Sequence, residues 1–371
     1  MLRRGRRYLA AVALALIAAP LLVGLVKPDS EAAVLAEGRR LAPAPTLPAS
    51  FGELAALPQR VDAYLKDHFG LRHALIRAYA NLTRPLLGGG ASVMIGRDGR
   101  MFYLGDEMVR QSAGLILRDR RVAETADFVA EMEEALAGLK IKFLVAVPPN
   151  ASTVYQEDLP VWAQSRGRRT EYDLFLAALA ARGVKTVDLR PAVTEARAQG
   201  DVFFRHDSHW TQRGALAAFN AIVEADGRPN WRLDVESSLG PPTRRGGGDL
   251  IRMLGPDDGA TEAIQDLNVR SDAREEILSP GPMPDTLLVS AVSGPTVIVL
   301  GDSFTASYFP PMLSRHVARA VWLYHNFCGF DWKWIDILRP DEVWWMPTER
   351  ALFCAPAARP LHFGDEHAAL R

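Results

Sequence analysis

Two short segments of this chain carry side chains suited to nucleophilic catalysis. Ser303 ends a Gly-Asp-Ser triplet that follows an apolar run, and the earlier segment 205–210 reads Arg-His-Asp-Ser-His-Trp. A serine hydroxyl, an imidazole base and a carboxylate that orients this base are the parts of an acyl-transfer triad. Asp207 and His209 are two residues apart, so in extended backbone their side chains project to the same side. We therefore predict that Asp207 orients His209, which acts as general base toward Ser303.

The residues around Ser303 favour a strand followed by a helix. The run Val297–Leu300 is apolar and mostly β-branched, as expected of a central strand in a parallel sheet. The residues that follow Ser303 can begin a helix. The serine should therefore lie in a strand-to-helix turn, where its backbone N–H is the predicted donor to an oxyanion.

Both motifs also have other interpretations. Asp302 and Ser303 are good helix N-caps, and a histidine after a strand is often a structural residue held by hydrogen bonds. A third interpretation takes His206, Asp207 and His209 as zinc or manganese ligands. Three nearly consecutive ligands rarely close one coordination sphere, so we predict a catalytic triad and no metal site.

The pattern of apolar residues predicts alternating helices and strands over most of the chain. Helices are expected at 51–87, 121–138, 170–182, 212–225, 304–316 and 331–338, and strands at 143–147, 184–189, 296–300, 320–324 and 342–346. Residues 94–102 predict a hairpin with an Asp-Gly turn, and residues 226–295 predict an irregular insertion. Such alternation predicts an α/β fold with a mostly parallel sheet and helices on both faces. Ser303 and Asn150 then follow strands at the edge where ligands bind.

Composition and charge limit the class of function. The chain has 371 residues, 48% of them hydrophobic, and a formal net charge of −1, as in a globular protein with a large core. Five basic residues and no acidic residue lie in 1–27, which leaves −6 on the rest. A mildly acidic body argues against a nucleic-acid binder that relies on an extended basic face.

The N-terminal segment predicts the cellular location. Four arginines precede the uncharged run Tyr8–Val26, which is long enough to span a bilayer. We predict that residues 1–27 form an anchor in the inner membrane, with the following chain in the periplasm; a cleaved signal peptide and a buried helix are the alternatives. The predicted organisation continues with a linker at 28–50, a helical segment at 51–92, a catalytic domain at 93–355 and a tail at 356–371.

Two cysteines, Cys328 and Cys354, form no zinc-binding pattern. In an oxidising compartment they can pair as a disulfide, and two separate buried thiols are the alternative. The chain also lacks a Rossmann glycine fingerprint and a P-loop, so no organic cofactor is predicted.

Several motifs together resemble the AlgJ/AlgX family of exported polysaccharide O-acetyltransferases, whose SGNH-hydrolase-like domain places Asp-x-His before its serine. Asp207-Ser208-His209 followed by Ser303 has this order. The supporting matches are Glu37-Gly38-Arg39-Arg40-Leu41-Ala42-Pro43, Asp67-His68-Phe69-Gly70-Leu71-Arg72, 93–99, Val147-Pro148-Pro149-Asn150 with Val154-Tyr155, Gly248-Asp249-Leu250, and Pro340-Asp341-Glu342-Val343 with Glu349-Arg350. The resemblance covers residues 35–355. One departure is Ala151, where many relatives have a lysine.

The resemblance implies acetyl transfer to hydroxyls of an exopolysaccharide, alginate or a similar glycan, through an acetyl-Ser303 intermediate. It also implies a partner, a multi-spanning membrane O-acyltransferase that delivers acetyl groups. Substrate contacts are predicted for four side chains: Trp210, Asn150, Tyr308 and Arg350. For each of them core packing, a turn or an ion pair with Glu349 is the structural alternative. A carbohydrate acetylesterase with the same triad and a non-catalytic glycan-binding scaffold are the alternative functions.

Overall fold

The computed structural model describes residues 19, 23, 44–48, 51–67, 90, 92–254, 261–269 and 272–354. Most of the predicted anchor at 1–27, most of the linker, the second half of the first predicted helix and the tail at 356–371 lie outside these residues. Among the described helices, none combines the length and the apolar character needed to cross a membrane. The chain divides into two compact units, residues 1–93 with 247–259 and residues 94–246 with 260–371.

The helices and strands follow one another mostly as the sequence pattern predicts. The helices are α1 Phe51–Asp67, α2 Met108–Ser112, α3 Asp119–Gly138, α4 Ala151–Val154, α5 Glu171–Ala181, α6 Arg190–Ala196, α7 Gln212–Ala225, α8 Val235–Ser238, α9 Asp249–Leu254, α10 Ser303–Ala306, α11 Phe309–Leu313 and α12 Lys333–Leu338. The strands are β1 Val93–Ile95, β2 Met101–Tyr103, β3 Lys142–Ala146, β4 Thr186–Val187, β5 Leu239–Gly246, β6 Thr261–Leu267, β7 Arg274–Ser279, β8 Asp285–Val289, β9 Thr296–Gly301, β10 Arg319–Tyr324 and β11 Glu342–Met346. Helices α1 and α9 belong to the first unit, and α2–α8 with α10–α12 belong to the second.

A seven-stranded sheet forms the centre of the second unit, in the order β4-β3-β11-β9-β10-β8-β7. The five strands from β4 to β10 are parallel, and β8 and β7 continue the sheet in antiparallel orientation. The prediction of a mostly parallel α/β sheet is confirmed. Strand β9, which leads to Ser303, lies at its middle between β11 and β10.

The prediction of an irregular insertion at 226–295 is wrong. Within it, β5 and β6 pair as a separate antiparallel sheet, while β7 and β8 extend the central one. Strands β5, β6 and β7 are rich in polar and charged residues, and much of their surface is exposed. Their backbone hydrogen bonds hold them in the sheet without the apolar alternation that signals a strand in the sequence.

Strand β9 is buried on both faces, which explains its continuous apolar sequence. Val297 and Val299 join one hydrophobic cluster with side chains of α7 and α11. Ile298 and Leu300 join a second cluster with side chains of α3, α5 and α12. Helices therefore cover both faces of the sheet, as predicted. Burying each such side chain contributes about 1.5–3 kcal/mol, so the strand that leads to Ser303 is firmly held.

Local differences from the predicted elements have simple causes. The helix expected at 304–316 is divided into α10 and α11, and Pro310 occupies the first turn of α11, where proline is favoured. The strand expected at 184–189 pairs only over β4. The hairpin at 94–102 is confirmed, and its turn residues Asp98 and Gly99 have the positive φ values of 55° and 77° that an Asp-Gly turn uses.

Candidate active site

Ser303 is the first residue of α10, directly beyond the carboxyl end of β9. The turn is tight because a Cβ atom on Gly301 would lie only 2.0 Å from Oγ1 of Thr305, so glycine is required there. The hydroxyl of Thr305 donates to the carbonyl of Asp302 at 3.2 Å and accepts from the indole of Trp322 at 2.9 Å. The geometry predicted for the serine, a strand-to-helix turn, is the observed one.

The Asp302 side chain holds this turn against the end of the neighbouring strand β11. Its carboxylate accepts the backbone N–H of Phe304 at 3.0 Å, the backbone N–H of Thr348 at 2.9 Å and the Thr348 hydroxyl. Asp302 is the N-cap of α10, as its sequence position suggested. Thr348 carried no sequence signal, because it follows β11 far along the chain and meets Asp302 only in the folded sheet.

The residues that carry Asp207 and His209 form a closed loop on the same edge of the sheet. Phe203 forms an antiparallel bridge with Trp210, and the Thr211 N–H donates to the Val202 carbonyl at 2.8 Å. The Trp210 indole donates to the Phe304 carbonyl at 2.8 Å and so ties this loop to α10. Asp207 and His209 therefore lie at the tip of a loop whose two ends are fixed.

Asp207, His209 and Ser303 form a connected hydrogen-bond chain. Oδ1 of Asp207 lies 2.6 Å from Nδ1 of His209, and Nε2 of His209 lies 2.7 Å from Oγ of Ser303. The same Asp207 oxygen accepts the His209 backbone N–H at 3.1 Å. The segment is therefore a tight side-chain-to-backbone turn, and the expectation of extended backbone is wrong. This network assigns the proton of the neutral ring to Nδ1 and leaves Nε2 to accept the serine proton.

The geometry favours this triad over the alternative of a metal site at residues 206–209. Both ring nitrogens of His209 lie within hydrogen-bond distance of triad partners. The ring of His206 points elsewhere, with its Nδ1 3.8 Å from a carboxylate oxygen of Glu262. His209 is therefore held by Asp207, whereas His206 lies beside a different carboxylate, that of Glu262.

Tyr308 lies in the electrostatic environment of the triad. Burial, with a smaller contribution from the negative charge of Asp207, raises the pKa of Tyr308 to about 12. Its phenol therefore stays neutral and able to donate a hydrogen bond at physiological pH. The prediction that Tyr308 contacts substrate stays open, and its position next to the triad is compatible with it.

Arg350 lies over the ring of Phe304, which in turn contacts the ring of His209. Its guanidinium carbon is 5.0 Å from the centre of the Phe304 ring, and this ring is 5.0 Å from that of His209. Among the residues that the structure describes, Nη1 of Arg350 is buried and has no hydrogen-bond partner. The alternative of an ion pair with Glu349 is wrong, because the Glu349 carboxylate instead accepts the Asn150 N–H at 2.8 Å and the Thr153 hydroxyl at 2.7 Å.

The structure assigns Asn150 and Trp210 to the interior, so their predicted substrate contacts are corrected. Both are 0% exposed. The Asn150 amide donates to the Ser112 hydroxyl at 3.3 Å, within a buried polar network that includes Glu349. Burial raises the pKa of Glu349 to about 7, although the Asn150 N–H opposes this effect. Trp210 ties its loop to α10 through the Phe304 carbonyl, and Asn150 precedes α4 within the buried network.

A cleft of about 500 Å³ opens next to Ser303. Ser303, Ala306 and Ser307 border it on one side, and residues of β7, β8 and their connecting loop border it on the other. This volume is within the usual range for small-molecule sites. The sequence reasoning missed this wall entirely, because it lies in the segment predicted to be irregular.

Comparison with known proteins supports the fold and the type of site. Residues 93–344 match a protein family described as "SGNH hydrolase-like domain, acetyltransferase AlgX". A probable alginate O-acetylase AlgJ of Pseudomonas putida is 29% identical over 173 residues, which cover 46% of this chain and 44% of that protein. Its Pseudomonas aeruginosa counterpart is 27% identical over 180 residues, covering 48% of this chain and 44% of that protein. The matches span less than half the length of these relatives.

Solved structures show the same fold. The O-acetyltransferase domain of Pseudomonas putida AlgJ superposes with a TM-score of 0.50 at 21% identity, covering 75% of this chain and 98% of that one. PatB1 of Bacillus cereus also gives a TM-score of 0.50, at 13% identity, covering 65% of this chain and 93% of that one. Because the family match includes the segment that carries His209 and Ser303 and covers well over half of the chain, this protein belongs to the AlgX acetyltransferase family with an SGNH hydrolase-like domain.

Proposed function

We propose that this protein is an exported O-acetyltransferase that modifies hydroxyls of an exopolysaccharide. The observation that carries the proposal is the hydrogen-bond chain from Asp207 through His209 to Ser303, with spacings of 2.6 and 2.7 Å. Family membership and the acetylation activities in the names of the relatives supply the acyl group and the acceptor class.

In the first half-reaction, Oγ of Ser303 attacks the carbonyl carbon of an acetyl donor while Nε2 of His209 takes the serine proton. The Asp207 carboxylate stabilises the resulting imidazolium. The backbone N–H of Ser303 has no acceptor within the described part of the chain and is the proposed oxyanion donor. Collapse of the tetrahedral intermediate transfers the proton of His209 to the leaving group and leaves acetyl-Ser303.

In the second half-reaction, His209 takes the proton of a sugar hydroxyl, whose oxygen attacks the acetyl carbon. The serine oxygen then leaves with that proton, which restores the enzyme and releases an acetylated sugar. The unpaired Nη1 of Arg350 and the neutral phenol of Tyr308 are proposed substrate contacts.

We further propose a location on the periplasmic side of the inner membrane, with a multi-spanning membrane O-acyltransferase as the acetyl-delivering partner. The Cys328–Cys354 disulfide supports an oxidising compartment. The uncharged run Tyr8–Val26 behind four arginines supports an anchor. The partner is inferred from the family resemblance.

The test is incubation of the purified protein with p-nitrophenyl acetate, with and without oligosaccharides. Mass spectrometry should detect one acetyl group on wild-type protein and none on the Ser303→Ala variant, and acetylated sugar should form. Acetate release that is unchanged by any oligosaccharide would instead establish an esterase. Full complementation of a deletion strain by Ser303→Ala would establish a non-catalytic scaffold.

A further inference from the structure

The cleft beside Ser303 is built where the parallel sheet becomes antiparallel. Trp322 of β10 pairs in register with Thr286 of β8, and Leu288 of β8 pairs with Glu275 of β7. Cross-strand partners share a sheet face, and so do residues two apart in a strand. Thr286, Leu288, Glu275 and Trp322 therefore present one continuous face, and all four border the cleft.

The opposite side of the cleft is formed by α10 and α11. Pro310 and Pro311 border it there, and Pro282, Met283 and Pro284 close it from the loop between β7 and β8. Rigid apolar faces of this kind pack against the C–H faces of sugar rings, and the hydroxyls of Thr286 and Ser307 can hydrogen-bond to sugar hydroxyls. The chemistry of the wall suits a saccharide.

The charge of the wall distinguishes between classes of saccharide. Of the twelve residues that border the cleft, Glu275 alone is charged, and the described wall contains no lysine, arginine or histidine. Arg350, which lies over the Phe304 ring, is not part of this wall. A uronate carboxylate placed against this wall would lose water against proline and methionine without a cationic partner in the wall, and it would be repelled by Glu275.

We propose that this cleft is the acceptor site and that it takes an uncharged glycan segment in preference to a polyuronate. The inference rests on the proposed function, since it names the acceptor class of that reaction. It separates this chain from the alginate acetylation named for its relatives, because alginate carries a carboxylate on every sugar.

Binding to the full-length Ser303→Ala protein tests the inference without requiring turnover. Calorimetric titration should compare uncharged gluco-, manno- and galacto-hexasaccharides with a mannuronate hexasaccharide. We expect at least one uncharged hexasaccharide to bind with a Kd at least about tenfold below that of the uronate, as expected when a buried charge lacks a partner. A uronate that binds as tightly as every uncharged oligomer, or no binding by any uncharged oligomer at millimolar concentration, would overturn it.

The chain offers a matched pair of variants on one strand. Glu275→Lys should reduce the ratio of the uronate Kd to the uncharged-hexasaccharide Kd about three- to tenfold, because it replaces repulsion by attraction at an exposed site. Glu276 is paired with Leu287 on the opposite sheet face and forms an ion pair with Arg274, so Glu276→Lys should leave the preference unchanged. Equal effects of the two variants would show that net charge alone acts, which contradicts the proposal.

Failure of the proposed function is recognised separately. If the wild-type protein forms acetyl-Ser303 but acetylates no sugar, transfer fails while the binding preference is still measured. If acetylation occurs and favours the mannuronate oligomer, the proposed function stands and the uncharged-acceptor inference fails.

Discussion

The disulfide between Cys328 and Cys354 should contribute a large part of the stability of this domain. The two cysteines are 26 residues apart, and their bond links the segment after β10 with the segment after β11. In the chain-entropy treatment, opening a loop of this length returns about 12 cal/mol/K to the unfolded chain, or about 3.5 kcal/mol at room temperature. Since whole domains are stable by only about 5–15 kcal/mol, the loss should be easy to measure.

The segment that contains Cys328 also has a local reason to rearrange when it is released. Asn326, Phe327 and Cys328 have consecutive positive φ values of 44°, 51° and 70°. For residues other than glycine this conformation costs about 1 kcal/mol or more each, and such strain persists only when the surroundings hold it. Both ends of the disulfide lie at the sheet edge that carries Ser303, so reduction should also lower acetyl-ester hydrolysis.

Urea unfolding followed by tryptophan fluorescence measures the effect on the oxidised protein, the reduced protein and a Cys328→Ala/Cys354→Ala variant. Reduction and the double substitution should each lower the free energy of unfolding by about 3.5 kcal/mol. The double variant provides the control, because reductant should not change it further. A loss below about 1 kcal/mol would refute the argument from loop entropy.

Three further results are expected. Asp207→Asn should lower kcat for acetyl-ester hydrolysis by about 10³–10⁴-fold, because the amide no longer holds the Nδ1–H tautomer of His209; a loss under tenfold would contradict the triad. Asp302→Ala should lower both kcat and the free energy of unfolding, the latter by about 3 kcal/mol, since it removes the acceptor for Phe304 and Thr348; unchanged kcat would contradict its positioning role. Burial raises the pKa of Glu349 from 4.5 to about 7. Between these two pH values the folded protein binds a proton that the unfolded chain releases, so the free energy of unfolding falls as pH rises from 4.5 to 7. Relative to Glu349→Gln, wild type should lose about 3 kcal/mol of unfolding free energy between pH 4.5 and 7, and parallel pH profiles would contradict this.

The prediction of the catalytic residues from sequence depended on local signals. Val297–Leu300 is apolar throughout because β9 is buried on both faces, and Asp302 is a helix N-cap within the same few residues. The requirement for glycine at 301 arises from Thr305, four residues away. Sequence patterns can report such relations because the interacting groups are close neighbours in the chain.

The wall of the cleft and the supporting residues could not be predicted in this way. Strand β8 is identified by its backbone pairing with β10, and β7 by its pairing with β8. The polar sequence of β7 resembles that of a loop. Asn150 follows a predicted strand and Trp210 follows the Asp-x-His motif, so both are predicted to contact substrate. In the folded protein both are fully buried, because other parts of the chain pack over them. Burial depends on elements from distant parts of the chain, so residue type alone does not decide it.

For this protein, the sequence alone predicted the five parallel strands and the longer helices, the turn that carries Ser303 and the three side chains assigned to the triad. The tertiary structure decided that Nε2 of His209 lies 2.7 Å from the serine, that Thr348 supports Asp302, and that a cleft with a single acidic side chain lies beside them. The reason is physical: hydrophobic periodicity and turn chemistry act between near neighbours, whereas distances across a sheet edge depend on how strands far apart in sequence pair and pack.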